Sequence, residues 1–265
     1  MPTTYTHDAF GRETYQKLPE GVKTIIRKYK KLYLIGLHGP DIFFYYRPYK
    51  MKRNMVAESG HAMHREKARV FFEEAVKICR ETNSQALLAY LMGFVCHFIL
   101  DSTCHPFVNE FEASSGLSHT EIETELDRYF MVRDGKDPFS YHPAASISPS
   151  DGAADVIHMV FPLIPEKKIQ KTLTGMKFYC DITVTGSERK RKMFHRILKL
   201  AGADENLGKR IIEKESNPES LVSTEKLVHL YHMALEEIVP AVMNLYHAVM
   251  KGEQLSERFD RDYCN

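Results

Sequence analysis

His97 and Asp101 stand four residues apart, as do Asp101 and His105 and, further along, His119 and Glu123. Residues at that spacing share one face of a helix. Each pair can therefore aim an imidazole and a carboxylate at one point. Such a donor set suits zinc or a similar divalent cation, and it accepts manganese or iron. Along one helix, at about 1.5 Å per residue, His97 and His105 lie roughly 12 Å apart, too far for one ion to take both. If all five residues are ligands, the chain needs at least two ions, and Asp101, between the histidines, can bridge. The bland alternative is a core helix with satisfied polar groups. Asp101 is surrounded in sequence by Phe94, Val95, Phe98, Ile99 and Leu100, where an unpaired carboxylate is costly. The set as a whole favours metal.

The elements that must position these residues read as helices. Ser84 is a plausible cap for the apolar helix, and Pro106 predicts its end, because the residue before proline avoids the α region. A loop follows over 112–118, and Ser118 can cap a helix that begins at His119. Upstream, His7 and Asp8 fall in a polar segment. A basic amphipathic helix is predicted over 19–35, most simply with its lysines as a solvated face. Gly39-Pro40 breaks it. Asp41 then reads as a helix cap or as a carboxylate at the edge of a pocket lined by Phe43, Phe44, Tyr45 and Tyr46. After a basic loop at 50–58, a helix is predicted from near Ser59 to about Thr82. There His64 shares the apolar side of Phe71 and Phe72 better than His61 does. The Gly-, Pro- and Ser-rich stretch 134–152 predicts a long loop suited to a lid or substrate rim. Beyond it, helices are predicted over roughly 151–161, 165–184, 188–201, 204–214 and 221–251, the last with a kink at Pro240. His142, His229 and His232 have no ligand pattern around them. The basic cluster ERKRK at 188–192 reads as a solvated face.

No internal repeat or long linker divides the 265 residues. The expectation is one all-α, multi-helix domain over 1–265, with the metal site drawn from residues 5–125 and the C-terminal half completing the core. Charged residues make up 27% and the formal net charge is +1, so bulk electrostatics do not favour a polyanion partner. The five cysteines include no CxxC pair, which fits a reduced compartment. The first residues lack a signal-peptide pattern. No apolar stretch is expected to reach the ~20 residues of a membrane span. A cytoplasmic location is the expectation.

The ordered set His7, Asp41, His64, His97-x3-Asp101, His105, His119-x3-Glu123, with GPDIFFYY and HFILDSTCHPFV around it, resembles the zinc-dependent phospholipase C family. Single-strand-specific nucleases share its fold. The resemblance covers roughly residues 5–130, and it implies an all-α phosphodiesterase with clustered metal ions at the base of a cleft. It implies that His64, His97 and Asp101 hold one ion, with Asp41 beside it as ligand or general base. His105, His119 and Glu123 would hold a second, and Asp101 would bridge to a third that His7 also binds. Three features depart from the family pattern. The chain has no Trp to supply the N-terminal ligand of the secreted members. Asp101 and His105 are separated by three residues where those members have five. No signal peptide is evident. Two or three zinc-type ions are therefore the expectation.

The resulting functional expectation is a phospholipase C-like, metal-dependent phosphodiester hydrolase. Its substrate is a phospholipid or small diester in the first instance, with nucleic acid on the same fold as an alternative. The competing class is a non-catalytic, metal-stabilised helical binding module.

Overall fold

The protein is described from a computed structural model, which covers residues 4–48, 54–200 and 208–264. It is all-α. Its helices are α1 (Thr4–Lys17), α2 (Glu20–Lys28), α3 (Lys30–Gly36), α4 (Met55–Arg65), α5 (Ala68–Thr82), α6 (Gln85–Ser115), α7 (His119–Arg133), α8 (Asp151–Val160), α9 (Glu166–Ile182), α10 (Glu188–Leu200) and α11 (Leu221–Lys251). No strand occurs among the described residues.

The organising element is α6. Ser84 caps it by accepting from the Leu87 amide at 3.1 Å, and Gly116, in the left-handed region, ends it. It is buried almost continuously from Leu87 to Val108, with α11 and α3 packed along it. The expected stop at Pro106 does not occur, and the helix runs on to Ser115. A proline inside a helix costs about 3 kcal/mol in lost hydrogen bonding and crowding. Burial on several sides outweighs that local preference. The helix is also long and apolar enough to cross a membrane, contrary to the sequence expectation, but its apolar window is 94% buried inside the fold. It is a core helix.

Two glycines set how α3 meets α6. A side chain on Gly36 would meet the Tyr90 carbonyl, and one on Gly93 would meet the Tyr33 carbonyl, each at 2.2 Å. The backbones touch where these glycines face each other, and the next residues, His38–Asp41, are laid over the following turns of α6. They form a 3₁₀ stretch, Gly39–Tyr45.

Other boundaries differ from the sequence reading. The polar N-terminal segment is a buried helix, α1. The helix expected over 19–35 breaks at Tyr29 into α2 and α3. The helix expected from Ser59 starts at Met55, because Asn54 caps it, and it divides at Glu66–Lys67. The amide of Ala68, just past that break, donates to the Arg261 carbonyl at 2.9 Å, so a distant segment takes over the hydrogen bonding there. Of the helix expected over 204–214, residues 204–207 lie outside the described residues, and 208–210 form only a 3₁₀ turn. Positions 50–53 of the expected basic loop also lie outside them.

Candidate metal centre

The eight candidate ligands, drawn from five separate segments, come together as two adjoining groups. In the first, His7 (α1), Asp41 (the 3₁₀ stretch), His97 and Asp101 (α6) bring ligand atoms within 4.8 Å of one another. His64 (α4) joins them, its Nε2 3.1 Å from Asp41 Oδ1 and 3.7 Å from Asp101 Oδ2. The second group is His105, His119 and Glu123. Asp101 lies between the two. Its Oδ1 is 3.2 Å from His7 Nε2, and its Oδ2 is 3.0 Å from His97 Nε2 and 3.8 Å from His105 Nδ1. His7 therefore sits in the same cluster as His97, its ring stacked on His97 with centroids 4.6 Å apart.

Local rules place each piece. Ser118 and Glu121 form a reciprocal capping box at the start of α7, which fixes where His119 and Glu123 point. Asp127, one turn further on, reaches across to the start of α1. It accepts from the Tyr5 amide (3.0 Å), the Thr6 amide (2.7 Å) and the Thr6 hydroxyl (2.6 Å). The first amides of α1 are thereby satisfied, and His7 is held one residue away. Gly39 has φ +46, and a Cβ there would lie 2.2 Å from His97 Cδ2. Only glycine fits that conformation and that contact.

The protonation pattern shows what the groups are built for. His64 Nδ1 donates to the Gly60 carbonyl at 2.8 Å. Neutral His64 thus aims a lone pair, not a hydrogen, at Asp41. His105 Nδ1 donates to the Tyr263 carbonyl at 2.9 Å, which turns the Nε2 lone pair on Glu123 Oε1, 3.3 Å away. A lone pair facing a carboxylate is repulsive unless a proton or a metal cation lies between them, and a carbonyl-anchored imidazole is the common arrangement for a metal-ligating histidine. Both Asp41 oxygens, Asp101 Oδ2, Glu123 Oε2 and both His97 nitrogens are buried without a hydrogen bond. Buried polar atoms are seldom left so. The donor set therefore fits divalent cations.

Titration points the same way. Burial pulls the His64 pKa down, but the neighbouring carboxylates of Asp101 and Asp41 prevail and push it up to about 10. Burial also opposes ionisation of His105, yet Asp101 and Glu123 hold it well above the histidine range. Burial raises Asp101 and Glu123, but the surrounding histidines hold both below the usual carboxylate range. Each carboxylate stays ionised in a place where only a nearby positive charge makes that affordable.

Several sequence expectations are corrected. Asp41 does not cap a helix. It lies in the first turn of the 3₁₀ stretch, with both oxygens in the cluster. Of the aromatic run, Phe43 is a core residue, packed edge-on against Phe161, whereas Tyr45, buried with its hydroxyl near Cys180 Sγ, lines a cavity that also reaches Glu123, as expected. Phe44 alone of the four stands against the centre, its ring 5.6 Å from that of His64. Tyr46 is partly exposed beside Arg47. His61 stays outside the cluster, and His64 is the histidine that enters it.

Other functional positions were not legible in the sequence. Asp8, adjacent to His7, turns to His38, 3.5 Å away and equally buried. Asp127 and the Tyr263 carbonyl act across 121 and 158 positions of sequence, and no local pattern announces either. A cavity of about 540 Å³ reaches Glu123 at one end, between Thr4, Asp127, Tyr141, Phe194 and Leu198. A larger polar depression of about 970 Å³ includes none of the eight ligands, and Arg191, Glu188 and Glu213 on its wall already pair with one another.

A comparison with protein families matches residues 6–168 to zinc-dependent phospholipase C. The chain belongs to the zinc-dependent phospholipase C family. The matched span holds all eight candidate ligands and the whole of α6. Neither the curated proteins nor the solved structures gave a match. In this zinc-dependent phospholipase C family member, His7 and the two α6 residues His97 and Asp101 share one cluster, and the second group stands beside it.

Proposed function

We propose that the protein is a metal-dependent phosphodiester hydrolase with two or three zinc-type ions. In this reading residues 1–265 form a single domain and the location is cytoplasmic. The observation that carries the proposal is the pair of carbonyl-anchored histidines, His64 and His105, whose free nitrogens face buried carboxylates. His7, His64, His97, Asp101 and Asp41 would hold ions in the first group. His105, His119 and Glu123 would hold one in the second, with Asp101 between them. Ions bound there supply Lewis acidity toward phosphoryl oxygens and lower the pKa of water to near neutrality.

The chain's own residues do the rest. Asp41 orients the attacking water and takes its proton, since its two oxygens lie in the cluster without other hydrogen-bond partners. Phe44 shields one side of the cluster. The cavity beside Glu123, with mainly apolar walls, suits the organic part of a phospholipid or small diester. Such a wall gives no phosphate-by-phosphate track, so nucleic acid is the lesser alternative.

Elemental analysis and hydrolysis of a chromogenic phosphodiester, with and without chelator, test the reading. Two or three ions per chain and chelator-sensitive turnover are expected. Bound metal with no turnover on phosphocholine, nucleotide or generic diesters would leave the non-catalytic module as the answer. In that case Asp41→Asn would change metal binding and melting temperature, with no activity lost.

A further inference from the structure

The basic cluster at 188–192 belongs to α10, which lies beyond the segment that matches the family. Its two faces differ sharply. Phe194 and Leu198 point inward and line the cavity that reaches Glu123. Met193, Ile197 and Leu200, spaced four and three apart, fall on a neighbouring face turned toward solvent and are 57%, 51% and 86% exposed. Arg189, Lys190 and Arg196 flank that apolar stripe within one helical turn. Lys192 and Lys199 stand further round, and all five cations are exposed. Across the cavity mouth, α9 adds Phe178 and Ile182, also largely exposed. By contrast α2, equally rich in lysine, keeps Val22 and Ile26 buried and has no such stripe.

We propose that the outward face of α10, with the end of α9, is a docking surface for an anionic lipid bilayer. Exposed apolar residues along a helix, flanked by lysine and arginine, are the pattern of a helix lying in a membrane interface. The apolar stripe enters the acyl boundary while the cations meet acidic headgroups. Charge complementarity selects that partner over a neutral protein face. The apolar stripe selects it over nucleic acid, which would use the cations and leave Met193, Ile197 and Leu200 in water. The surface borders the cavity mouth, so docking would place that mouth at the lipid. The proposal concerns delivery to the site and does not rest on its chemistry.

The test is flotation of the full chain, metal-loaded as purified, with phosphatidylcholine vesicles with and without phosphatidylserine. Binding only to the anionic vesicles is expected. Replacing four cations (Arg189→Gln, Lys190→Gln, Arg196→Gln, Lys199→Gln) should weaken partition by roughly 600-fold, at roughly fivefold per cation. Replacing the stripe (Met193→Ser, Ile197→Ser, Leu200→Ser) should also abolish flotation, while turnover of a soluble diester is unchanged in both variants. The chain has no tryptophan, so Ile197→Trp adds a single fluorophore. Its emission should shift to the blue on anionic vesicles, and that of Val70→Trp, exposed on α5, should not. Absence of vesicle binding, an unshifted Ile197→Trp, or oligonucleotide binding that needs only the cations overturns the proposal. Loss of soluble-diester turnover in the unmodified chain would overturn the phosphodiesterase reading alone.

Discussion

Gly39→Ala tests whether backbone geometry at one residue positions the metal cluster. Two costs add at this site. The left-handed conformation at φ +46 charges a side-chain-bearing residue about 1–2 kcal/mol. The new methyl would lie 2.2 Å from His97 Cδ2 and 2.8 Å from Nε2, and His97 is fully buried with its ring stacked on His7. Overpacking of that kind costs about 1–3 kcal/mol. Together they come to about 2–5 kcal/mol, a fall in melting temperature of roughly 5–15 °C for a chain of this size. Gly135→Ala is the control. It shares the left-handed backbone (φ +67) but has open space around it, so only the first cost applies and a fall of roughly 2–6 °C is expected. Thermal melts of both variants, with and without chelator, and metal counts per chain decide the matter. Gly39→Ala should lose metal as well as stability, because displacing the His97 ring moves Nε2 by more than the ~0.2 Å tolerance of a coordination bond. If Gly39→Ala melts no lower than Gly135→Ala and keeps its full complement of metal, the reasoning is wrong.

Asp127→Ala should destabilise the fold by about 2–4 kcal/mol, since it removes three hydrogen bonds from the start of α1. Urea unfolding reads the loss, and metal content should drop with it as His7 is released. Deleting Tyr263–Asn265 takes away the carbonyl that orients His105 and should weaken metal binding about 10–100-fold, measured by competition with a coloured chelator. In the metal-free protein, His64 carries a folded pKa of about 10, above its ordinary 6.5. Its stabilising contribution is therefore full below the unfolded value and is lost as pH rises through about 10. Metal must displace the same proton, so apparent affinity should climb with pH between about 7 and 9. Calorimetric titration in two buffers of different ionisation enthalpy should show proton release, and equal heats in both would contradict it.

What could be read from the sequence was what depends on short-range spacing. His97, Asp101 and His105 share a helical face because four residues make about one turn, and that holds in any fold. Ser118 marks a helix start because a cap acts within three residues, and α7 does begin at His119. The Pro106 stop failed for a related reason. It is a local preference, and burial by α3 and α11 outweighs it. Long-range effects left no such trace. Asp127 looks like any acidic residue inside a helix until α1 is folded against it, and a backbone carbonyl such as that of Tyr263 has no side-chain signature at all. The His7 segment reads as polar because its composition is polar, yet the whole turn is buried once Asp127 caps it and His97 stacks on His7. The centre is thus assembled in two stages. Helix periodicity pairs the ligands on α6 and α7. Contacts from α1, the Gly39 turn, α4 and the C-terminal tail then bring in the remaining residues and, for His64 and His105, fix which nitrogen faces inward. The second stage, which lone-pair direction records and residue type does not, is what separates a metal centre from a core helix that happens to carry histidine.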